Sequence, residues 1–202
     1  MEFWNSDLTE KSWKILREFK KDHNFVLIGG WATYLWARRQ KSKDIDIVVE
    51  IDELQKLKNE GLSKNDNLKK YEIKKGETDI DIYVSYFSKL TIPVEDIRRY
   101  SKKVEGFDVV SREALVILKQ GAEIERKNSI KGEKDRIDII SLIWADFDYA
   151  EYKRLLIKYK LENYIEKLIC LIRDFVDFDS LNLNPREFKL NKIEILNKLK
   201  ML

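Results

Sequence analysis

From Phe25 to Glu50 the chain reads Phe-Val-Leu-Ile-Gly-Gly-Trp-Ala-Thr-Tyr-Leu-Trp-Ala-Arg-Arg-Gln-Lys-Ser-Lys-Asp-Ile-Asp-Ile-Val-Val-Glu, and this stretch decides the fold. Phe25-Val26-Leu27-Ile28 is apolar and partly β-branched, which predicts a buried strand. Gly29 and Gly30 follow at once, where a chain turning into a helix needs positive φ or a close backbone approach. Residues 31–39 predict that helix, and Asp44 to Val49 predict a second strand. Its side chains alternate, with Ile45, Ile47 and Val49 on one face and Asp44, Asp46 and Val48 on the other. Two carboxylates therefore share one side of one strand.

Residues two apart on a strand lie roughly 6.5 to 7 Å apart, so two such negative charges repel unless water or a cation stands between them. A hard divalent cation is the natural guest, and Mg²⁺ keeps company with substrate phosphates. The amides of a glycine turn at a helix N-terminus favour a phosphate group. Together these features describe a metal-nucleotide site.

Gly29-Gly30, thirteen intervening residues and Asp44-Ile45-Asp46 on an apolar strand resemble the signature of the DNA polymerase beta-like nucleotidyltransferase superfamily. The resemblance implies three carboxylates, the Asp-x-Asp pair and one more on a later strand, holding two Mg²⁺ or Mn²⁺ ions around a nucleoside triphosphate. It also implies a mixed α/β (α+β) fold, a nucleotidyltransferase sheet flanked by helices. Residues 71–75 and 78–86 predict two strands joined at Gly76-Glu77 as a hairpin. The second contains Thr78-Asp79-Ile80-Asp81-Ile82-Tyr83-Val84, which offers two acids on one face. The family pattern, one acid followed by the apolar body of its strand, favours Asp81, with Asp79 as the alternative. Asp is depleted in strands, so two Asp-Ile-Asp triplets in strand context argue against acids placed there for solubility alone.

The downstream half resembles a subgroup, the abortive-infection-type nucleotidyltransferase toxins and minimal nucleotidyltransferases. The carrying residues are Lys119, Ala122 and Arg126, then Lys134-Asp135-Arg136-Ile137-Asp138-Ile139. Within that resemblance Lys119 suits the triphosphate, Asp135 and Asp138 are motif positions, and Ser42 matches a small hydroxyl residue able to bond a phosphate. An ordinary ion pair between two helices explains Lys119, Arg126, Asp135 and Asp138 equally well. Gly29-Gly30-Trp31-Ala32 is similar instead to the start of antibiotic nucleotidyltransferases. Trp31 and Trp36 stand at helical spacing, which is more often core than a stacking platform.

Composition bounds the rest. A chain of 202 residues suits one compact domain with a helical appendage, read here as a nucleotidyltransferase domain over 1–146 and a C-terminal helical region over 147–202. Lys and Arg number 39 against 36 Asp and Glu, a formal charge of +3, so no strong global field draws in nucleic acid. One cysteine, Cys170, excludes an intrachain disulfide, and no apolar run is long enough for a membrane. No secretory pattern opens the chain, so a cytoplasmic protein is expected. Asp7 with Glu10 predicts a capped first helix, and His23, the lone histidine, falls in a turn and receives no role. Ser63 to Lys70 reads as a polar loop, Val104 to Val110 as a strand interrupted by Gly106, and Lys134 as the start of a helix after a loop containing Gly132.

The expectation is thus a nucleotidyltransferase taking a triphosphate, ATP first, and a hydroxyl acceptor on a protein, tRNA or small molecule. The toxin resemblance adds an antitoxin partner. The competing readings are a binding module for a protein or RNA that retains the fold with little turnover, and an antibiotic-modifying enzyme.

Overall fold

The computed structural model describes residues 4–202, and the chain divides into two compact units, one reaching to Ser111 and one from Arg112 to Leu202. The division follows the last strand rather than residue 146.

In the first unit α1 spans Ser6–Asp22, capped by the Asn5 side chain, which accepts from the Asp7 amide. The cap is therefore two residues ahead of the expected Asp7. The strand β1 (Val26–Ile28) runs straight into α2 (Gly29–Ala37), and β2 (Ile45–Val49) returns antiparallel to β1. A short α3 (Ile51–Lys56) leads to β3 (Ser63–Asn65), β4 (Lys70–Lys75) and β5 (Thr78–Val84). Then come α4 (Val94–Ile97), β6 (Ser101–Val104) and β7 (Phe107–Val110). The strand order is β3-β4-β5-β2-β1-β7-β6, with β2/β5 and β1/β7 parallel and the other pairs antiparallel.

Alternation explains why these segments become strands. Ile45 and Ile47 of β2 and Ile80 and Ile82 of β5 are fully buried, while Asp46 and Asp81 between them are part-exposed. Against the sheet, Trp31 of α2 is buried, donates its indole N–H to Ser12 Oγ at 2.9 Å and packs on Trp13. It is a core residue with no face left for a base. Two edges exceed the sequence expectation. The expected polar loop contains β3, and the expected single strand around Gly106 is the β6/β7 hairpin, with Glu105 and Gly106 both at positive φ.

The second unit is helical: α5 (Arg112–Arg126), α6 (Ile130–Ile143), α7 (Tyr149–Tyr159), α8 (Tyr164–Asp174) and α9 (Pro185–Lys200). Leu115, Ile139, Leu155, Leu156 and Leu168 are buried in it. Here α6 starts at Ile130, not Lys134, because Ser129 caps the Gly132 amide. Gly132 does not break the helix. A Cβ there would meet the Arg126 carbonyl oxygen at 2.3 Å, so glycine lets the incoming chain pass close to the end of α5. Among the described residues no helix is long and apolar enough to cross a membrane.

Candidate active site

The parallel pairing of β2 and β5 sets the site. Its register puts Asp46 beside Asp81, and the antiparallel β4/β5 register puts Glu72 on the other side of Asp81. Register partners point to the same face, and neighbouring strands lie about 4.8 Å apart, so Glu72, Asp81 and Asp46 form one acidic row across three strands. Asp79 stands opposite Lys74, one residue before the stretch of β5 paired with β2 begins at Ile80. Register thus favours Asp81 over Asp79 as the partner of Asp46.

On the far side of Asp46 lies Ile28, its partner in β1, and the chain turns there into α2. Gly29 takes φ +65°, and a Cβ on it would sit 2.1 Å from Asp46 Oδ2. No other residue type fits without driving the carboxylate away. Gly30 is buried one position on. The apolar Ile28 at the N-cap of α2 provides no side-chain cap for the helix.

Asp44 lies in a bend just before β2 rather than on the strand. Ser42 is buried and its hydroxyl donates to the Asp44 carbonyl at 2.9 Å, which ties the bend down. One carboxylate oxygen of Asp44, Oδ1, is buried and makes no hydrogen bond. An anionic oxygen out of water without a partner is costly, and a cation relieves that cost directly.

Electrostatics point the same way. The Asp81 carboxyl is pushed up to about 6, first by burial and then by the negative charge of Asp46. Lys70 opposes this, its Nζ lying 2.6 Å from Asp81 Oδ2 and 3.1 Å from Glu72 Oε1. One ammonium does not offset the crowding of the row. Glu72 is held below the ordinary range, chiefly by Lys70.

Donor set and cradle fit a hard divalent cation: orphaned oxygen on Asp44, Asp46 seated against a glycine, and Asp81 in register with it. Among the described residues no three carboxylate, histidine or cysteine side chains form a ready-made metal cage. Such an arrangement suits Mg²⁺, which is bound by one or two carboxylates plus substrate phosphates rather than by an all-protein cage.

Lys119 lies in the helical unit. Its Nζ is 3.0 Å from Asp135 Oδ1 and 2.7 Å from Asp138 Oδ2, both acids buried. Lys134 also pairs with Asp138, at 2.9 Å, and Arg126 with Asp135, at 2.7 Å. These residues make an ion network between α5 and α6.

Sequence reasoning missed Lys70 and Glu72. The signal was present: a two-residue turn at Gly76-Glu77 sets Lys75 opposite Thr78, and counting back puts Glu72 opposite Asp81.

No protein-family model matches the chain, and no curated protein matches it. Solved structures do. JHP933 from Helicobacter pylori is 18% identical, with a TM-score of 0.51 over 98% of this chain and 93% of that one. An antigenic nucleotidyltransferase-like protein from Paracoccidioides brasiliensis is 15% identical, with a TM-score of 0.42 over 88% of this chain and 98% of that one. At such identity the likeness to JHP933 is one of fold, and it agrees with the mixed α+β architecture of this chain.

Proposed function

We propose that the chain is a metal-dependent nucleotidyltransferase that moves a nucleoside monophosphate from a triphosphate, ATP in the first instance, to a hydroxyl acceptor. One observation carries the reading: Asp46 and Asp81 stand in register on adjacent parallel strands, with Asp46 seated against the missing side chain of Gly29.

Asp44, Asp46 and Asp81 would hold Mg²⁺ or Mn²⁺, two ions in the arrangement the sequence resemblance implies. When bound, the metal supplies positive charge to the reacting phosphate and to the departing pyrophosphate. Everything else falls to the chain. The start of α2 at Gly29 and Gly30, a glycine turn at a helix N-terminus, suits phosphate oxygens. Ser42, through Asp44, fixes the bend that presents the first acid. Asp81, the third acid of the set, would receive the proton of the acceptor hydroxyl. Lys119 receives no phosphate role in this scheme, because its ammonium is engaged by Asp135 and Asp138.

The acceptor classes are a protein, a tRNA and a small molecule. Resemblance to the abortive-infection toxins extends the reading to a toxin whose antitoxin would silence this site. Incubation with alpha-phosphate-labelled nucleotides, Mg²⁺ and each acceptor class tests the proposal. Label transfer that disappears in Asp46→Ala is expected; transfer unaffected by that substitution overturns it.

A further inference from the structure

The proposed site contains a positive charge that the metal-nucleotide scheme does not use. Lys70 opens β4, and its side chain, 13% exposed, reaches Asp81 Oδ2 at 2.6 Å. A second carboxylate stands ready for the same ammonium, Glu72 Oε1 at 3.1 Å. Glu72 is itself anchored, since Asn65 Nδ2 of β3 donates to that oxygen at 3.0 Å. The ammonium thus has one partner inside the acid pair facing Asp46 and another outside it.

We propose that Lys70 is a resident counter-cation that competes with the divalent metal for Asp81. The inference rests on the reading of Asp44, Asp46 and Asp81 as metal ligands and adds to it the device that governs how readily the site loads. Without metal, the ammonium neutralises part of a half-buried acidic row whose members repel one another. When metal arrives, ammonium and metal claim the same carboxylate, and Lys70 retains Glu72 as it yields Asp81. A lysine suits this work, having a flexible stem and a point charge that binds a carboxylate without bidentate geometry.

The alternative is that Lys70 merely straps β4 to β5. The two accounts predict opposite signs. A strap, when cut, loosens the site and weakens metal binding, whereas removal of a competitor strengthens it.

The test is Mn²⁺ titration of the full chain, reading free Mn²⁺ by electron paramagnetic resonance, with circular dichroism as the check on folding. Lys70→Gln is expected to bind Mn²⁺ roughly tenfold more tightly than the wild type, since a unit positive charge beside a divalent ion has been removed. Lys70→Arg, which keeps the charge, is expected to stay within about twofold of the wild type. A folded Lys70→Gln that binds Mn²⁺ equally or more weakly overturns the proposal. Should Lys70→Gln fail to fold, the wild type decides: acetylation of Lys70, followed by mass spectrometry, is expected to quicken in Mn²⁺, and an unchanged rate overturns the proposal. Asp46→Asn separates the two levels. If the wild type binds no Mn²⁺, or Asp46→Asn binds as well as the wild type, the metal-site reading itself falls and takes this proposal with it. If only the Lys70 results fail, the reading stands and the counter-cation does not.

Discussion

Gly29 is the residue on which the acids depend. Gly29 and Gly76 share the same positive φ, 65°, but a Cβ at Gly76 meets nothing within 4 Å while one at Gly29 runs into Asp46. Alanine at either position costs roughly 1–2 kcal/mol for a left-handed backbone. Only at Gly29 does it also expel a carboxylate. Gly76→Ala is therefore expected to lower stability and leave Mn²⁺ affinity unchanged, whereas Gly29→Ala is expected to lower stability further and weaken Mn²⁺ binding by at least roughly tenfold, a loss of about 1.4 kcal/mol. Urea denaturation and metal titration of the two variants check this, and equal metal affinities would show that Asp46 is indifferent to the cradle. At this scale Gly29, Asp46 and Asp81 stand out in the sequence because glycine before a helix and Asp in a strand are locally anomalous, whereas Asp44, expected on the strand, lies in the bend before it. Lys70 and Glu72 are not legible, because lysine and glutamate on a half-exposed hairpin strand are locally ordinary and gain meaning only through the partner strand.

Elements show the same contrast between local and through-space information. The strand β1 is legible from its apolar run and β2 and β5 from alternation, whereas β3, three polar residues long, exists only because β4 pairs with it. Likewise α6 was read as starting late because a glycine in its first turn resembles a breaker, and its reason, the nearby Arg126 carbonyl, lies outside the helix. The α5–α6 ion network is not legible as such in the sequence, since charge spacing on two helices does not show that the helices face each other. That network carries a stability prediction. Burial alone would raise the Asp138 carboxyl, but Lys119 and then Lys134 outweigh it and hold its pKa below 3.8. A folded-state value below the unfolded one contributes stability above 3.8, lost as pH falls through the lower folded value. Asp138→Asn leaves buried ammonium groups with too little counter-charge, a change expected to cost about 3–5 kcal/mol at pH 7. Denaturation midpoints of wild type and variant should therefore lie far apart at neutral pH and converge in acid. A gap that persists unchanged well below pH 3.8 would assign the loss to packing rather than to the ionised pair.

Over the whole molecule, fold class was legible and the division of the chain was not. No linker composition marks Ser111, the single residue between β7 and α5, so the sequence reading carried the first domain on to residue 146. Net charge was equally silent: a formal +3 hides an acidic row in the sheet and an ion network among the helices. Bulk values average over sites whose chemistry depends on local sign. A ligand held by several strands at once nevertheless leaves a global trace. If Asp44, Asp46 and Asp81 bind Mn²⁺ in the folded state only, a concentration one hundred times the dissociation constant adds about 2.7 kcal/mol to every opening that releases the ion. Amides that bond across the β1/β2 and β2/β5 pairings exchange through openings that separate the strands aligning the acids. Their hydrogen exchange is expected to slow by roughly a hundredfold in saturating Mn²⁺. Frayed positions such as the short β3 edge, which open without disturbing β2 and β5, should change little. Asp46→Asn should abolish the effect. Exchange in β2 and β5 that ignores Mn²⁺, or slows equally in Asp46→Asn, would mean that the ion is not held between those strands.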